Sequence, residues 1–179
     1  KTKIEKDLTS NRNADINDLK KLKQKIKKFK PEILFHLAAQ PLVIESYKNP
    51  LYTFKTNMIG TLNVLECIRD IKTLKSVVII TSDKVYKINK KNFGYKEQDS
   101  LGGEDPYSGS KAASEIIVDS YIKSFYKNNF LKNRVSTVRA GNVIGGGDFA
   151  KNRLMPDIIK AINTKKTVII RNANYVRPW

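Results

Sequence analysis

Three short runs read as strands along this chain: EILFHLA (32–38), SVVIITS (76–82) and RVSTVRA (134–140), the middle one rich in apolar β-branched residues. Runs with so little polar alternation suit strands buried on both faces, the condition of a parallel sheet. Parallel neighbours need a crossover of a dozen or more residues, usually a helix, and the intervening segments supply one each time. Residues 49–71 read as a long helix with Pro50 in its first turn, and a second helix starts near Pro106. Ahead of the first strand, residues 15–30 place Ile16, Leu19, Leu22, Ile26 and Phe29 at helical spacing on a lysine-rich surface, and Pro31 stops the pattern. Residues 154–163 are expected to form a short helix and TVIIR (167–171) a last strand. This rhythm predicts an α/β fold, a doubly wound parallel sheet with helices on both faces.

Such sheets bind ligands beyond the carboxyl ends of their strands. Three stretches fall there: Ala38, Ala39 and Gln40 after the first strand, Gly141 and Asn142 after the third, and Ser82, Asp83 and Lys84 after the second. The last is unusual, because a core strand ends in a hydroxyl, a carboxylate and an amine with no Gly or Pro to mark an ordinary turn. One expected element is missing. The first 30 residues contain no glycine, and GNVIGGGD (141–148) follows a late strand without the G-x-G-x-x-G spacing of a diphosphate-binding turn. With no initial Met and an end at RPW, the sequence reads as an internal fragment.

Composition narrows the function classes. A net charge of +17 raises nucleic acid as a partner, but the lysines are spread over helix surfaces, as in DLKKLKQKIKKFK, without interleaved aromatics. No apolar stretch approaches the ~20 residues of a membrane span. One cysteine and one histidine exclude a zinc-ligand spacing and an internal disulfide, which makes a reducing cytoplasm the expected compartment. Cys67 and His36 are expected to be packing residues.

YSGSK puts Tyr107 and Lys111 four apart at the start of a helix, hence on one face. A tyrosine with its ordinary pKa of about 10 is a poor base at neutral pH, and an adjacent ammonium lowers that pKa. Alone the spacing is a weak signal. HLAAQ, TNMIGTLNVLE, TSDKVY, DPYSGSKAASE and VRAGNVIGGGD, in this order, resemble the extended short-chain dehydrogenase/reductase family, the NAD-dependent epimerases and dehydratases. RAGNVIGGGD and IRNANYVRPW point to its CDP-sugar branch. The resemblance covers residues 15–179 and implies a single partial NAD(P)-binding Rossmann-like domain over 1–179. The N-terminal Gly-rich βα unit and the C-terminal substrate lobe would be missing, the lobe beginning near residue 142. A fragment so truncated is expected to show no turnover, little NAD affinity and a tendency to aggregate.

Carried over position by position, the resemblance implies that Asp15 and Ile16 flank the adenine of NAD. Leu37, Ala38, Ala39 and Gln40 would line its ribose and nicotinamide side, with Asn57 nearby. Tyr107 and Lys111 would be the proton-transfer pair, a positive nicotinamide ring aiding the phenolate and Lys111 also touching the nicotinamide ribose. Ser82 would bond the reacting sugar hydroxyl. Asn142, Arg153 and Arg177 would face the substrate, the arginines being suited to bidentate diphosphate contacts, with plain surface solvation as their alternative. The implied reaction turns CDP-glucose into its 4-keto-6-deoxy form. The C4 hydroxyl loses its proton to Tyr107 and its hydride to NAD, water leaves across C5–C6, and hydride returns to C6. An oxidation or epimerisation needs no extra acid and base; Asp83 as acid and Lys84 as base would make the fold a hydro-lyase.

Lys84 stands where a related dehydratase pattern has glutamate. To act as a base it must be neutral, which desolvation and Lys111 would favour against its ordinary pKa of about 10.4. Its alternative is to stay charged and stabilise the developing enolate. The helices from Pro50 and Pro106 would pair with their copies in a homodimer, or their apolar arcs would simply pack on the sheet. The resemblance places the parent in bacterial deoxysugar formation for lipopolysaccharide O-antigen. Another nucleotide-sugar epimerase or dehydratase, or a basic nucleic-acid-binding module, are the rival readings.

Overall fold

The computed structural model describes residues 7–89, 94–170 and 173–174. They fall into two compact units: Asn13–Ala140, and the residues before Asn13 together with those after Ala140. Within the first unit, β1 (Ile33–His36), β2 (Ser76–Ile80) and β3 (Val135–Val138) pair in that order, all parallel. Helix α1 (Leu19–Phe29) precedes β1; α2 (Val43–Lys48), α3 (Pro50–Phe54) and α4 (Gly60–Ile68) lie between β1 and β2; α5 (Pro106–Tyr121) lies between β2 and β3.

Local signals explain the boundaries. Asp18 caps α1 by accepting from the Lys21 N–H at 3.0 Å, and Lys30 closes it in the left-handed region at φ 51° before Pro31. Pro50 and Pro106 occupy the first turns of α3 and α5, where their missing N–H costs nothing, and Asp105 caps α5 through the Ser108 N–H. The helix expected over 49–71 runs unbroken from Pro50 to Ile68, but its middle, Lys55–Ile59, is a π turn; a second π turn, Ile122–Tyr126, extends α5. A π turn is a one-turn switch to i→i+5 bonding, and no residue type in the sequence marks it.

Pleat alternation sorts the sheet residues. Leu34, Val77, Ile79 and Val135 pack into a core with Leu65, Ile68, Val118 and Tyr126 from α4 and the long helix of α5, while Leu22 and Ile26 of α1 close its edge. On the opposite face Ile33 is 57% exposed, Phe35 63% and Val138 44%. The described residues thus supply one helical layer of a doubly wound sheet.

In the second unit α6 (Leu154–Thr164) ends at Lys165, left-handed at φ 52°. The strand expected at 167–171 does not form over its described residues 167–170: Ile169 and Ile170 are exposed and pair with no other strand. A β-branched run has strand character only against a partner's hydrogen-bonding edge. Among the described residues no helix is long and apolar enough to cross a membrane.

Candidate active site

The carboxyl end of β2 runs into a single tight turn, Asp83–Val85, capped by Ser82, whose Oγ accepts the Lys84 N–H at 3.2 Å and donates to Asp83 Oδ1 at 3.1 Å. The Asp83 N–H is held by Ala140 O beyond β3. Ser82 is buried, Lys84 half-buried and Asp83 exposed, so the turn is anchored by its first residue.

Across from it, Lys111 on α5 is only 8% exposed and donates Nζ to Ile80 O at 3.1 Å. Burial pushes its pKa down from 10.5 to about 8. That bond uses one of the ammonium's three donors. Tyr107 sits one turn earlier on the same face, half-buried, its carbonyl accepting from Ser110 Oγ at 2.7 Å. Ahead of α5 the chain passes so close that a Cβ on Gly103 would stand 2.6 Å from the Ser108 carbonyl carbon. Only glycine allows this approach, and it fixes where the Tyr107 turn begins.

A buried polar hub lies beneath. Asn57, in the first π turn, donates Nδ2 to Gln40 O at 3.1 Å and to Ser110 Oγ at 2.9 Å, while its Oδ1 accepts the Gln40 N–H at 2.8 Å. Its carbonyl accepts both Thr61 Oγ1 at 2.7 Å and Ser114 Oγ at 2.9 Å, which accounts for its leaving the regular α-helical ladder. Gln40 turns inward too, Nε2 bonding Thr53 Oγ1 at 2.9 Å. Gln40, expected to line the cofactor, and Asn57, expected near it, are both buried with their side chains bonded internally, because a buried amide left unpaired costs about 1–3 kcal/mol. They tie the turn after β1 to α5. His36 Nε2 meets Thr61 Oγ1 at 3.0 Å, and burial, then the Lys111 charge, push its pKa from 6.5 to about 4, in keeping with a structural role.

Of the other expected positions, Leu37 and Ala38 are exposed and Ala39 half-buried beyond β1. Asp15 is exposed and its Oδ1 accepts from the Asn17 main chain and side chain; Ile16 packs toward Gly60 of α4, its carbonyl held by Asn63 Nδ2 at 3.0 Å. In the second unit Arg153 pairs with Asp148 at 3.5 Å and Asn142 is half-buried. Arg177 lies outside the described residues.

Sequence reasoning missed Glu115. It is buried at 5% exposure, accepts from Thr81 Oγ1 at 2.6 Å, and is gripped by Arg139 through Nε at 2.9 Å and Nη2 at 2.6 Å. The signal was present: Glu115 continues the four-residue spacing of Tyr107 and Lys111, and Arg139 is a charge at the end of an apolar strand.

The site fits one half of a dinucleotide. A buried ammonium with donors left over, beside a tyrosine at the strand ends, suits ribose hydroxyls and a nicotinamide. Among the described residues no glycine-rich turn runs from a strand straight into a helix, so they offer no backbone cradle for the diphosphate. No group of three or more metal-ligating side chains occurs among them either.

The sequence matches the profile of the GDP-mannose 4,6 dehydratase family over residues 2–179. The CDP-glucose 4,6-dehydratase of Salmonella typhimurium is 47% identical over 176 residues, which are 97% of this chain and 49% of that protein. Among solved structures, UDP-glucose 4-epimerase of Thermus thermophilus in complex with NAD is 26% identical at a TM-score of 0.67, over 78% of this chain and 43% of its own. The UDP-glucose 4-epimerase of Thermotoga maritima with UDP-glucose shares the fold at a TM-score of 0.80 and 24% identity, over 93% and 53%. The chain spans about half the length of these relatives.

Proposed function

Because the chain belongs to the GDP-mannose 4,6 dehydratase family, we propose that the full-length parent is an NAD-dependent hydro-lyase that converts CDP-glucose to CDP-4-keto-6-deoxyglucose. The observation that carries the reading is the pairing of two chemistries at one sheet end. Tyr107 and Lys111 share a face of α5, Lys111 is bonded to the last residue of β2, and Ser82, Asp83 and Lys84 follow that strand at once. An epimerase needs the first set; loss of water needs the second as well. The identity to the Salmonella CDP-glucose enzyme supports the choice of nucleotide and sugar.

NAD, when bound, would accept the C4 hydride and return it to C6. The chain's residues do the rest. Tyr107 Oη takes the C4 hydroxyl proton, and the Lys111 ammonium one turn away favours the phenolate. A Lys111 pKa of about 8 leaves it mostly charged at neutral pH, so it can do this. Ser82 Oγ orients the sugar hydroxyl. The 4-ketone acidifies the C5 hydrogen; Lys84 removes it while Asp83 protonates the departing C6 hydroxyl. Leu37, Ala38 and Ala39 give the cofactor an apolar wall, Asp15 and Ile16 take its adenine end, and Asn142, Arg153 and Arg177 serve the substrate's diphosphate and sugar.

Exposed Leu51 and Tyr52 on α3 and Ile116 on α5 support a homodimer through these helices, and one buried cysteine suits a reducing cytoplasm. Bacterial O-antigen deoxysugar formation is the matching context. The test is Lys84→Met in the full-length parent. C4 oxidation and NAD binding should persist while product formation and solvent deuterium exchange at C5 are lost. Exchange at near-parent rates would show that Lys84 is not the base.

A further inference from the structure

Tyr107, Lys111 and Glu115 follow at four-residue intervals on α5 and share its face. The proposed chemistry uses the first two and has no task for the third, yet Glu115 is as deeply buried as Lys111. A carboxylate so removed from water is tolerated only when paired and hydrogen-bonded. Its partners come from two different strands. Thr81, which donates to Oε1 at 2.6 Å, immediately precedes Ser82; Arg139, which grips both oxygens, immediately follows β3. Glu115 thereby bolts α5 to the carboxyl ends of β2 and β3 together.

Arg139 reaches further. Its Nη1 donates to Glu97 O at 2.9 Å, and its guanidinium lies 4.7 Å over the Tyr86 ring, which stacks on Tyr95 at 4.6 Å. Tyr86 comes two residues after Lys84. The stretch Ser82–Lys84 is therefore held before by Thr81 and after by Tyr86, both through the same ion pair. A guanidinium can grip a carboxylate with two donors, bond a carbonyl and stack on a ring at once; an ammonium cannot.

We infer that Glu115 and Arg139 are a positioning pair that sets the spacing between the Tyr107–Lys111 face and the Ser82–Lys84 turn, so that C4 oxidation and loss of water across C5–C6 proceed in one register. The inference rests on the proposed dehydratase reading. Its test is Arg139→Lys in the full-length parent, which keeps the charge opposite Glu115 and loses the fork and the ring contact. The expected result is a KM for CDP-glucose within about threefold and a kcat lower by about tenfold or more, since displacement of about 1 Å can cost that much. Reduced nicotinamide should build up at steady state, because oxidation continues while the misplaced turn slows elimination. In the cofactor-free protein, trypsin should cut faster after Lys87 and Lys96. Tyr86→Leu, which leaves the ion pair intact, should give the same signature more weakly, and it decides alone if Arg139→Lys does not fold. A folded variant with parent kcat and no build-up of reduced nicotinamide overturns the inference, as does a lowered Tm with kinetics unchanged. If the unaltered parent does not dehydrate CDP-glucose, the functional reading fails, and the proteolysis comparison still decides whether Arg139 holds the segment after Lys84: equal cleavage rates overturn it.

Discussion

Replacing Lys111 with methionine should stabilise the cofactor-free parent at neutral pH while abolishing its activity. Lys111 is buried, and burial lowers its pKa from 10.5 to about 8. That shift of about 2.5 units, at about 1.36 kcal/mol each, is about 3 kcal/mol by which the folded state disfavours the ammonium relative to the unfolded chain. Against this stands the bond from Nζ to Ile80 O, worth about 1.5–3 kcal/mol for a charged donor. The net expectation for Lys111→Met, a side chain of similar length without the charge, is a gain of about 0–2 kcal/mol near pH 7. The sign with pH follows from proton binding. Below the folded pKa both states carry the charge and the penalty is complete; between about 8 and 10.5 the unfolded chain binds the extra proton, so the parent gains stability as pH rises. The advantage of Lys111→Met should therefore shrink by about 2 kcal/mol between about pH 7 and pH 9.5. Urea unfolding of both proteins at the two pH values measures this directly. A loss of more than about 2 kcal/mol for the variant at pH 7, or a difference that does not change with pH, would refute the reasoning.

His36 contributes in the opposite pH range: its folded pKa of about 4 lies below the ordinary 6.5, so stability is lost as pH falls from 6.5 toward 4. The full effect is about 3 kcal/mol, and His36→Gln should flatten that part of the acid-unfolding curve by about this amount. Gly103→Ala would drive a Cβ into the Gly109 main-chain nitrogen and lift the loop from the start of α5. It should lower kcat by about tenfold or more with a smaller effect on nucleotide-sugar binding, checked by steady-state kinetics and by titration of bound substrate.

The fold was legible where one rule governed. Buried strands and crossover helices announced β1 to β3, α1, the long helix of α3 and α4, and α5, because apolar runs and Pro at the first helical turn are local signals, whereas the short α2 carried no such signal. The Ser82 turn stood out as polar groups at the end of an apolar strand, and Lys111 by its four-residue spacing from Tyr107 at the start of a helix. The inward turn of Asn57 and Gln40 was not. It depends on Ser110 and Ser114, more than fifty residues away, offering the partners that a buried amide requires. Glu115 was missed because a charged residue on a helix looks solvated until the strand ends are placed against it, and Arg139 because a charge just after a strand does not reveal its partner. The run at 167–170 misled for the converse reason, as β-branched residues without a pairing edge are not a strand.

The central claim, that one site oxidises C4 and then expels the C6 hydroxyl, is tested most directly by following a label. CDP-glucose deuterated at C4 is converted by the full-length parent in the presence of NAD, and the product is read by NMR. The account predicts a 4-keto-6-deoxy sugar with the deuterium moved to C6 of the same molecule and a solvent hydrogen at C5. Deuterium returned to C4 of an epimerised hexose, or released into free reduced nicotinamide with the C6 hydroxyl intact, would contradict it.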